Sequence, residues 1–233
     1  MKAFVLALLV VTSGINSASD DWKKDRAVSG FKGLSVSSGI DVYLTQGSSE
    51  KLTIEAKGVD EDEVRADVKN GVLKLYIDRK GVMNWNFGRN RYVKAYLTFK
   101  QLNDLQASGG ADVVGQGRLT FDDLNLEASG GADVKLDLKA DKLNVSASGG
   151  ADAVLQGSAR TLNANGSGGA DLDARKLVVE VCNANSSGGS DVYVNASREL
   201  TMKASGGSDI YYYGSAKVLS KNKSGGSDIS PRN

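Results

Sequence analysis

Histidine is absent from this 233-residue sequence, and cysteine and proline each occur only once. Without histidine, the chain has neither a Ser-His-Asp nor a Cys-His nucleophile pair, and it lacks histidine general bases and metal ligands. The lone cysteine, Cys182, excludes an intrachain disulfide bond and a CxxC site. A formal net charge of +1 provides no basic field for nucleic acid. These absences favour a binding or structural protein over an enzyme.

The first 19 residues have the layout of a secretory signal peptide. Lys2 supplies a positive charge, residues 3–11 are apolar, and small or polar residues continue to Ser19. This apolar run is too short to cross a bilayer, which takes about 20 residues. We therefore expect cleavage within residues 17–20 and an exported protein, located in the periplasm, on the cell surface or outside the cell. Residues 20–30 are interpreted as a linker.

A pentapeptide repeat dominates the rest of the sequence. Ser-Gly-Gly-Ala-Asp or Ser-Gly-Gly-Ser-Asp occurs seven times between Ser108 and Asp228, with successive aspartates 18 to 21 residues apart. Apolar and polar residues alternate on both sides of the motif, for example at 134–138 and 143–147, which predicts strands. Stacked coils of this kind bury a column of valine, leucine and alanine. The sequence predicts an all-β, single-stranded parallel β-helix, a solenoid with about 19 residues per coil, and the crossover rule favours right-handed coiling.

Residues 31–105 are interpreted as a β-rich N-terminal cap that is continuous with the repeat solenoid of residues 106–233. Apolar alternation marks several strands in this region, and Asn70-Gly71 between two of them is typical of a type I′ hairpin turn. A looser copy of the motif, from Ser37 to Asp41, stands alone near its start. A solenoid end exposes unpaired backbone and therefore needs a cap. Within the repeats, Cys182 aligns with Leu143, so we expect a buried thiol without a redox role.

Three segments together resemble a known family. They are FKGLSVSSGIDVYL at residues 31–44, GVLKL at residues 71–75, and the serial pentapeptides. The family is the one described as putative auto-transporter adhesin, head GIN domain, and the resemblance covers about residues 30–230. It implies an all-β, β-helix-like fold and a cell-envelope or extracellular location. It brings no catalytic residues with it.

The repeat aspartates are expected to stack along one corner of the solenoid. This aspartate ladder consists of Asp112, Asp133, Asp152, Asp171, Asp191, Asp209 and Asp228. Unit charges about 4.8 Å apart repel by roughly 1 kcal/mol in water, so each carboxylate needs a compensating partner. We expect hydrogen bonds from the amides of its own corner or from serine hydroxyls, which makes the ladder architectural. Calcium bound between coils is the alternative, although the period differs from that of calcium-binding nonapeptides.

Two aromatic segments are candidates for ligand binding, because tryptophan, tyrosine and arginine commonly anchor recognition surfaces. The first is the loop 82–92, with packing of its aromatic rings onto the cap as the structural alternative. The second is an outward-facing tyrosine patch, in which we expect Tyr212 to face inward and Tyr213 to align with Tyr193. The candidate residues are Trp85, Phe87, Arg89, Arg91, Tyr92, Tyr193, Tyr211 and Tyr213.

Together these features predict an exported, adhesin-like binding module that contacts a polysaccharide or an envelope or surface protein. No cofactor is required and no nucleic-acid partner is expected. The first alternative is a polysaccharide lyase or hydrolase that uses the ladder aspartates. The second is a purely structural envelope scaffold.

Overall fold

The computed structural model describes residues 21–78 and 91–232, and within them the regular secondary structure consists of strands without a helix. All of these strands belong to one sixteen-stranded sheet. The strands in chain order are β1 (Trp22–Arg26), β2 (Gly33–Val36), β3 (Ile40–Gln46), β4 (Lys51–Lys57), β5 (Val64–Lys69), β6 (Val72–Ile77), β7 (Tyr92–Phe99), β8 (Asp104–Ala107), β9 (Asp112–Ala128), β10 (Asp133–Gly149), β11 (Asp152–Gly168), β12 (Asp171–Gly188), β13 (Asp191–Gly206), β14 (Asp209–Tyr213), β15 (Lys217–Gly225) and β16 (Asp228–Pro231).

The repeats form the predicted parallel solenoid. Strands β9 to β13 are each one coil, and each pairs in parallel with the coil before and the coil after it. Because the pairing register equals the sequence period, Asp133 lies beside Asp112 on one side and beside Asp152 on the other. The apolar residues of each coil point inward and are buried, as Val134 and Leu143 show. The prediction of an all-β solenoid with about 19 residues per coil is confirmed.

Each coil is more continuous than the sequence indicates. We expected two strands separated by a short turn, but one strand of 16 to 18 residues bends around almost the whole coil. Differences in length between coils are absorbed as register shifts, such as the one between Ala174 and Val178. At this shift three residues of β12 have no register partner in β13, and the pairing resumes after them. The short turns of the sequence pattern are therefore bends within a strand.

The Gly-Gly corners stack directly on one another. In Ser167-Gly168-Gly169-Ala170-Asp171, the first glycine has φ +73°, a left-handed conformation that costs other residues free energy. A Cβ atom at Gly168 would lie 3.1 Å from the backbone nitrogen and oxygen of Gly149 in the coil below. The amide of Gly169 donates a 2.7 Å hydrogen bond to that same oxygen. The first glycine is thus required both for its conformation and for the close approach of two corners.

The N-terminal region continues the solenoid with two further coils. Strands β2 and β3 pair in parallel with β8 and β9, and the amide of Gly39 donates a 3.1 Å hydrogen bond to the Gly109 carbonyl. Strands β6 and β7 lie parallel on the other side of β2 and β3. Strands β4 and β5 then close the two walls as antiparallel strands, and β1 pairs with β4 at the edge. The copy from Ser37 to Asp41 does not stand alone, because Asp41 is paired with Asp112.

Two walls of the solenoid are used below. The post-corner wall contains the segments that follow each corner, namely β1, β4, β7, β3, the first parts of β9 to β13, β14 and β16. The pre-corner wall contains β5, β6, β2, β8, the later parts of β9 to β13, and β15.

The core is a continuous apolar column, and Cys182 is part of it. Cys182 pairs with Leu162, which pairs with Leu143, so the predicted alignment is confirmed. The side chain is fully buried, and burial raises the pKa of the Cys182 thiol to about 12. Because the thiolate is the reactive form of cysteine, this residue is inert at neutral pH.

Candidate functional site

The aspartate ladder occupies one edge of the post-corner wall. Each member is the first residue of its strand and is paired in register with the aspartate of the next coil. Asp41 continues the row below Asp112. Since paired strands in a sheet are about 4.8 Å apart, the structure places eight carboxylates in a straight row at that spacing.

Burial and the charges of neighbouring aspartates raise the pKa of two ladder members. Burial, followed by the charges of Asp133 and Asp171, raises the pKa of the Asp152 carboxyl above its ordinary value. The pKa of Asp191 is raised in the same way, by burial and then by its two neighbours in the row. The ladder therefore contains unfavourable charge interactions, which hydrogen bonds and other favourable interactions of the fold must offset.

The hydrogen bonds of the ladder differ from the expectation. Asp209 accepts one from the Tyr211 hydroxyl at 3.0 Å and another from the backbone amide of Asp228 in the next coil at 2.9 Å. The corner serine does not serve the carboxylate, because the Ser208 hydroxyl donates instead to the Ser205 carbonyl at 2.9 Å. Compensation for Asp209 thus comes from the following coil and from the neighbouring tyrosine column.

The last ladder member has a different environment. A hydrogen bond from Ser230 and then one from Lys223 lower the pKa of the Asp228 carboxyl, and the Lys223 Nζ lies 3.3 Å from it. As for metal ligands, residues 21–78 and 91–232 contain no group of three or more Asp, Glu, Cys or His side chains placed to hold an ion. An architectural ladder without a cofactor stays the prediction, with calcium binding between coils as its alternative.

A four-layer stack of planar groups lies beside the ladder on the post-corner wall. The rings of Tyr193 and Tyr211 are 4.9 Å apart at an interplanar angle of 23°. The guanidinium of Arg175 lies 4.3 Å from the Tyr193 centroid, and that of Arg232 lies 4.5 Å from the Tyr211 centroid. Arg175 is held in place by its Nε, which donates to Asp173 at 2.8 Å. Cation–π attraction at both ends stabilises the stack.

The stack determines what these tyrosines present to a partner. Both ring faces are covered, either by the other ring or by a guanidinium group, so a sugar cannot stack on them. Their ring edges remain for a partner, beside the guanidinium groups of Arg175 and Arg232, whereas the Tyr211 hydroxyl already donates to Asp209 at 3.0 Å. The arrangement is therefore a hydrogen-bonding surface, with donors in the stack and carboxylate acceptors in the adjacent ladder.

The structure corrects the predicted tyrosine alignment. Tyr211, rather than Tyr213, is paired with Tyr193, and Tyr213 is paired with Asn195. The prediction that Tyr212 faces inward is confirmed, since it packs against the core at the end of the column. Tyr213 lies on the same wall as the stack but in a different column.

The loop residues are only partly within the described chain. Trp85, Phe87 and Arg89 lie outside the described residues. The hydroxyl of Tyr92 donates to Glu55 at 3.3 Å, and Arg91 forms a 3.8 Å ion pair with Glu63. Both contacts are at the N-terminal end of the column, so the structure does not bring Arg91 and Tyr92 together with the stack on β13 and β14.

Sequence reasoning missed a second tyrosine stack. The rings of Tyr43 and Tyr96 are 5.2 Å apart at 16°, and the Lys23 Nζ lies 5.3 Å from the Tyr96 centroid. A pattern could have revealed Tyr43, because Asp41-Val42-Tyr43 repeats the spacing of Asp191-Val192-Tyr193. No sequence pattern indicates Tyr96, because its strand, β7, does not follow a copy of the pentapeptide motif.

The fold and the surface ladders define a parallel β-solenoid whose exposed side chains form long regular columns. The chain belongs to the family described as putative auto-transporter adhesin, head GIN domain, whose model matches residues 30–216. The resemblance drawn from the motifs is thereby confirmed.

Solved structures share the fold of this chain. The chain is similar to a putative adhesin from Bacteroides fragilis NCTC 9343, with 27% identity and a TM-score of 0.83, over 92% of this chain and 98% of that one. A putative adhesin from Parabacteroides distasonis ATCC 8503 shares the fold at 19% identity and a TM-score of 0.72, over 91% and 97%. A putative lipid binding protein from the same organism shares it at 16% and 0.67, over 92% and 97%. A search of curated proteins gave no match.

The family and the Bacteroides fragilis relative carry the name putative adhesin, which supports an adhesin-like role. In the parts of the chain that the structure describes, no helix is long and apolar enough to span a membrane.

Proposed function

We propose that the chain is an exported, adhesin-like binding module of the cell envelope or cell surface. It contacts a polysaccharide or a surface protein through the post-corner wall. The contact residues are Tyr193, Tyr211 and Tyr213, and the aspartate ladder forms one border of the contact. The protein acts without catalysis and without a cofactor, in the periplasm, on the cell surface or outside the cell.

One observation carries this proposal, namely the Arg175–Tyr193–Tyr211–Arg232 stack on the post-corner wall. Tyrosine and arginine are the residue types that most often anchor protein interfaces. Here the mutual stacking holds their side chains in one conformation before any partner arrives, so that little side-chain entropy is lost on binding. Family membership adds support, since the chain belongs to proteins named as adhesins.

Retention on immobilised ligands tests the proposal. The purified protein is passed over neutral and acidic polysaccharides and over intact cells, and released sugar products are assayed in the same samples. We expect retention without product, and a loss of affinity of about tenfold or more in a Tyr193→Ala/Tyr211→Ala variant. Tyr76→Ala is the matched control, because Tyr76 lies on β6 in the pre-corner wall.

The same experiment separates the other functions. Release of unsaturated or reducing-end sugars would contradict the proposal and indicate a lyase or hydrolase that uses the aspartate ladder. Absence of both retention and product on every surface would indicate a structural scaffold. Trp85→Ala, assayed in parallel, tests the predicted contribution of the loop 82–92.

A further inference from the structure

The two tyrosine stacks lie in one straight column of the post-corner wall. Tyr43 is paired with Tyr96 on one side and with Val114 on the other, and Asp173 is paired with Tyr193, which is paired with Tyr211. In each stack the outer ring is also covered by a cation. The complete column between the stacks, in spatial order, is Val114, Lys135, Val154 and Asp173.

The separation of the stacks defines the length of a ligand that contacts both. The coils of Tyr43 and Tyr193 are five strand spacings apart along the axis, which corresponds to about 24 Å. Tyr96 is 38% exposed, and Tyr43, Tyr193 and Tyr211 are half-buried, so both stacks are partly accessible. A compact ligand reaches one stack only, whereas an extended chain that lies along the axis reaches both.

The negative charge of the aspartate ladder, beside the tyrosine column, determines which kind of polymer can bind there. The aspartate ladder runs parallel to the tyrosine column, two residues earlier in each strand. Among the described residues, no ion pair engages the ladder members from Asp112 to Asp209. An acidic polymer bound along the column would therefore lie against a row of carboxylates that have no ion-pair partner, and like charges would repel it. The hydroxyl groups of a neutral sugar chain can instead donate to these carboxylates and accept from the phenol and guanidinium groups.

We infer that the ligand is an extended, neutral polysaccharide chain that lies along the solenoid axis and contacts both tyrosine stacks. This inference rests on the proposed function and adds Tyr43 and Tyr96 as a second contact point. Two contact points on one rigid surface make the second contact intramolecular, so that affinity rises steeply once one chain spans both.

The test uses linear neutral polysaccharides, namely glucan, mannan, galactan and xylan, with hyaluronan and heparin as acidic comparisons. For whichever neutral polymer is retained, a size series from trisaccharide upward is titrated against the protein. We expect affinity to rise at least tenfold when the fragment is long enough to span about 24 Å. Tyr96→Ala removes that gain while the trisaccharide affinity stays within about twofold. Tyr76→Ala keeps the gain, and unfolding midpoints of both variants confirm that they are folded.

Several results would overturn the inference while leaving the proposed function intact. These are an affinity that does not depend on fragment length, a gain that survives Tyr96→Ala, stronger retention on hyaluronan or heparin, and retention on a surface protein alone. If no polysaccharide and no cell surface retains the protein, the inference and the proposed function both fail.

Discussion

The corner glycines provide a sharp test of how the coils stack, because one corner contains a critical and a tolerant glycine side by side. Gly168 has φ +73°, and its added Cβ would lie 3.1 Å from backbone atoms of Gly149. Gly169 is not in the left-handed region, and its added Cβ would lie 3.5 Å from the Gly149 oxygen, an ordinary contact. Replacing either glycine by alanine adds the same methyl group, but in two different backbone environments.

The expected loss of stability in Gly168→Ala is the sum of two free-energy costs, one conformational and one steric. Placing alanine in the left-handed conformation costs about 1–2 kcal/mol. The tight contact at Gly168 is with backbone that is itself hydrogen-bonded into the stack, so relieving it adds a cost like that of overpacking, about 1–3 kcal/mol. We expect Gly168→Ala to lower the free energy of unfolding by about 2–5 kcal/mol, and Gly169→Ala to lower it by less than about 1 kcal/mol.

A third variant separates the two costs. Asparagine tolerates the left-handed conformation better than alanine but has the same Cβ atom. Gly168→Asn should therefore recover part of the conformational cost, about 1 kcal/mol, and none of the contact cost.

Urea unfolding followed by circular dichroism in the strand band measures these differences, with the slope of each transition compared so that a change in cooperativity is recognised. Equal destabilisation by Gly168→Ala and Gly169→Ala would refute the reasoning.

Three further predictions concern charge, chemistry and packing in the column. Because the folded-state pKa of Asp152 is raised, its ionisation destabilises the fold as pH rises above the ordinary value of 3.8, so Asp152→Asn should raise the unfolding midpoint at pH 7 but not at pH 3. Cys182, with a pKa of about 12, should resist thiol-specific reagents at pH 8 until the protein is unfolded, and labelling of the native protein would contradict its burial. A Cβ at Gly166 would lie 2.7 Å from the Val192 side chain, so Gly166→Ala should cost about 1–3 kcal/mol in the same urea assay; an unchanged midpoint would show that the core can adjust there.

Much of the fold could be predicted from sequence because equivalent positions of successive repeats stack on one another in the solenoid. Near-constant spacing of the pentapeptides fixes which residues stack, and Cys182 could be placed in the core by counting from its corner. The same counting fails where the period is broken. Between β3 and β8 the chain forms β4 to β7 on the other side of β2 and β3, outside the repeat spacing, so nothing in the spacing indicates that Asp41 and Asp112 are neighbours.

The tyrosine surface shows a second limit. Tyr193 and Tyr211 each lie two residues after a ladder aspartate, and counting from that aspartate gives their alignment, whereas Tyr213 lies four residues after it. The pairing of Tyr96 with Tyr43 depends on the insertion of β7 beside β3, which is a tertiary event. The covering of the ring faces by Arg175 and Arg232 likewise arises only once the coils are stacked.

The central claim is that the post-corner wall holds a surface ligand through its tyrosines. The most direct measurement is the retention of the unchanged protein, the Tyr193→Ala/Tyr211→Ala variant and the Tyr76→Ala control on immobilised neutral and acidic polysaccharides and on intact cells. The account predicts retention of the unchanged protein and of the control, and a loss of about tenfold or more in the double variant. Equal retention of all three proteins would contradict the claim and place the contact on another part of the molecule.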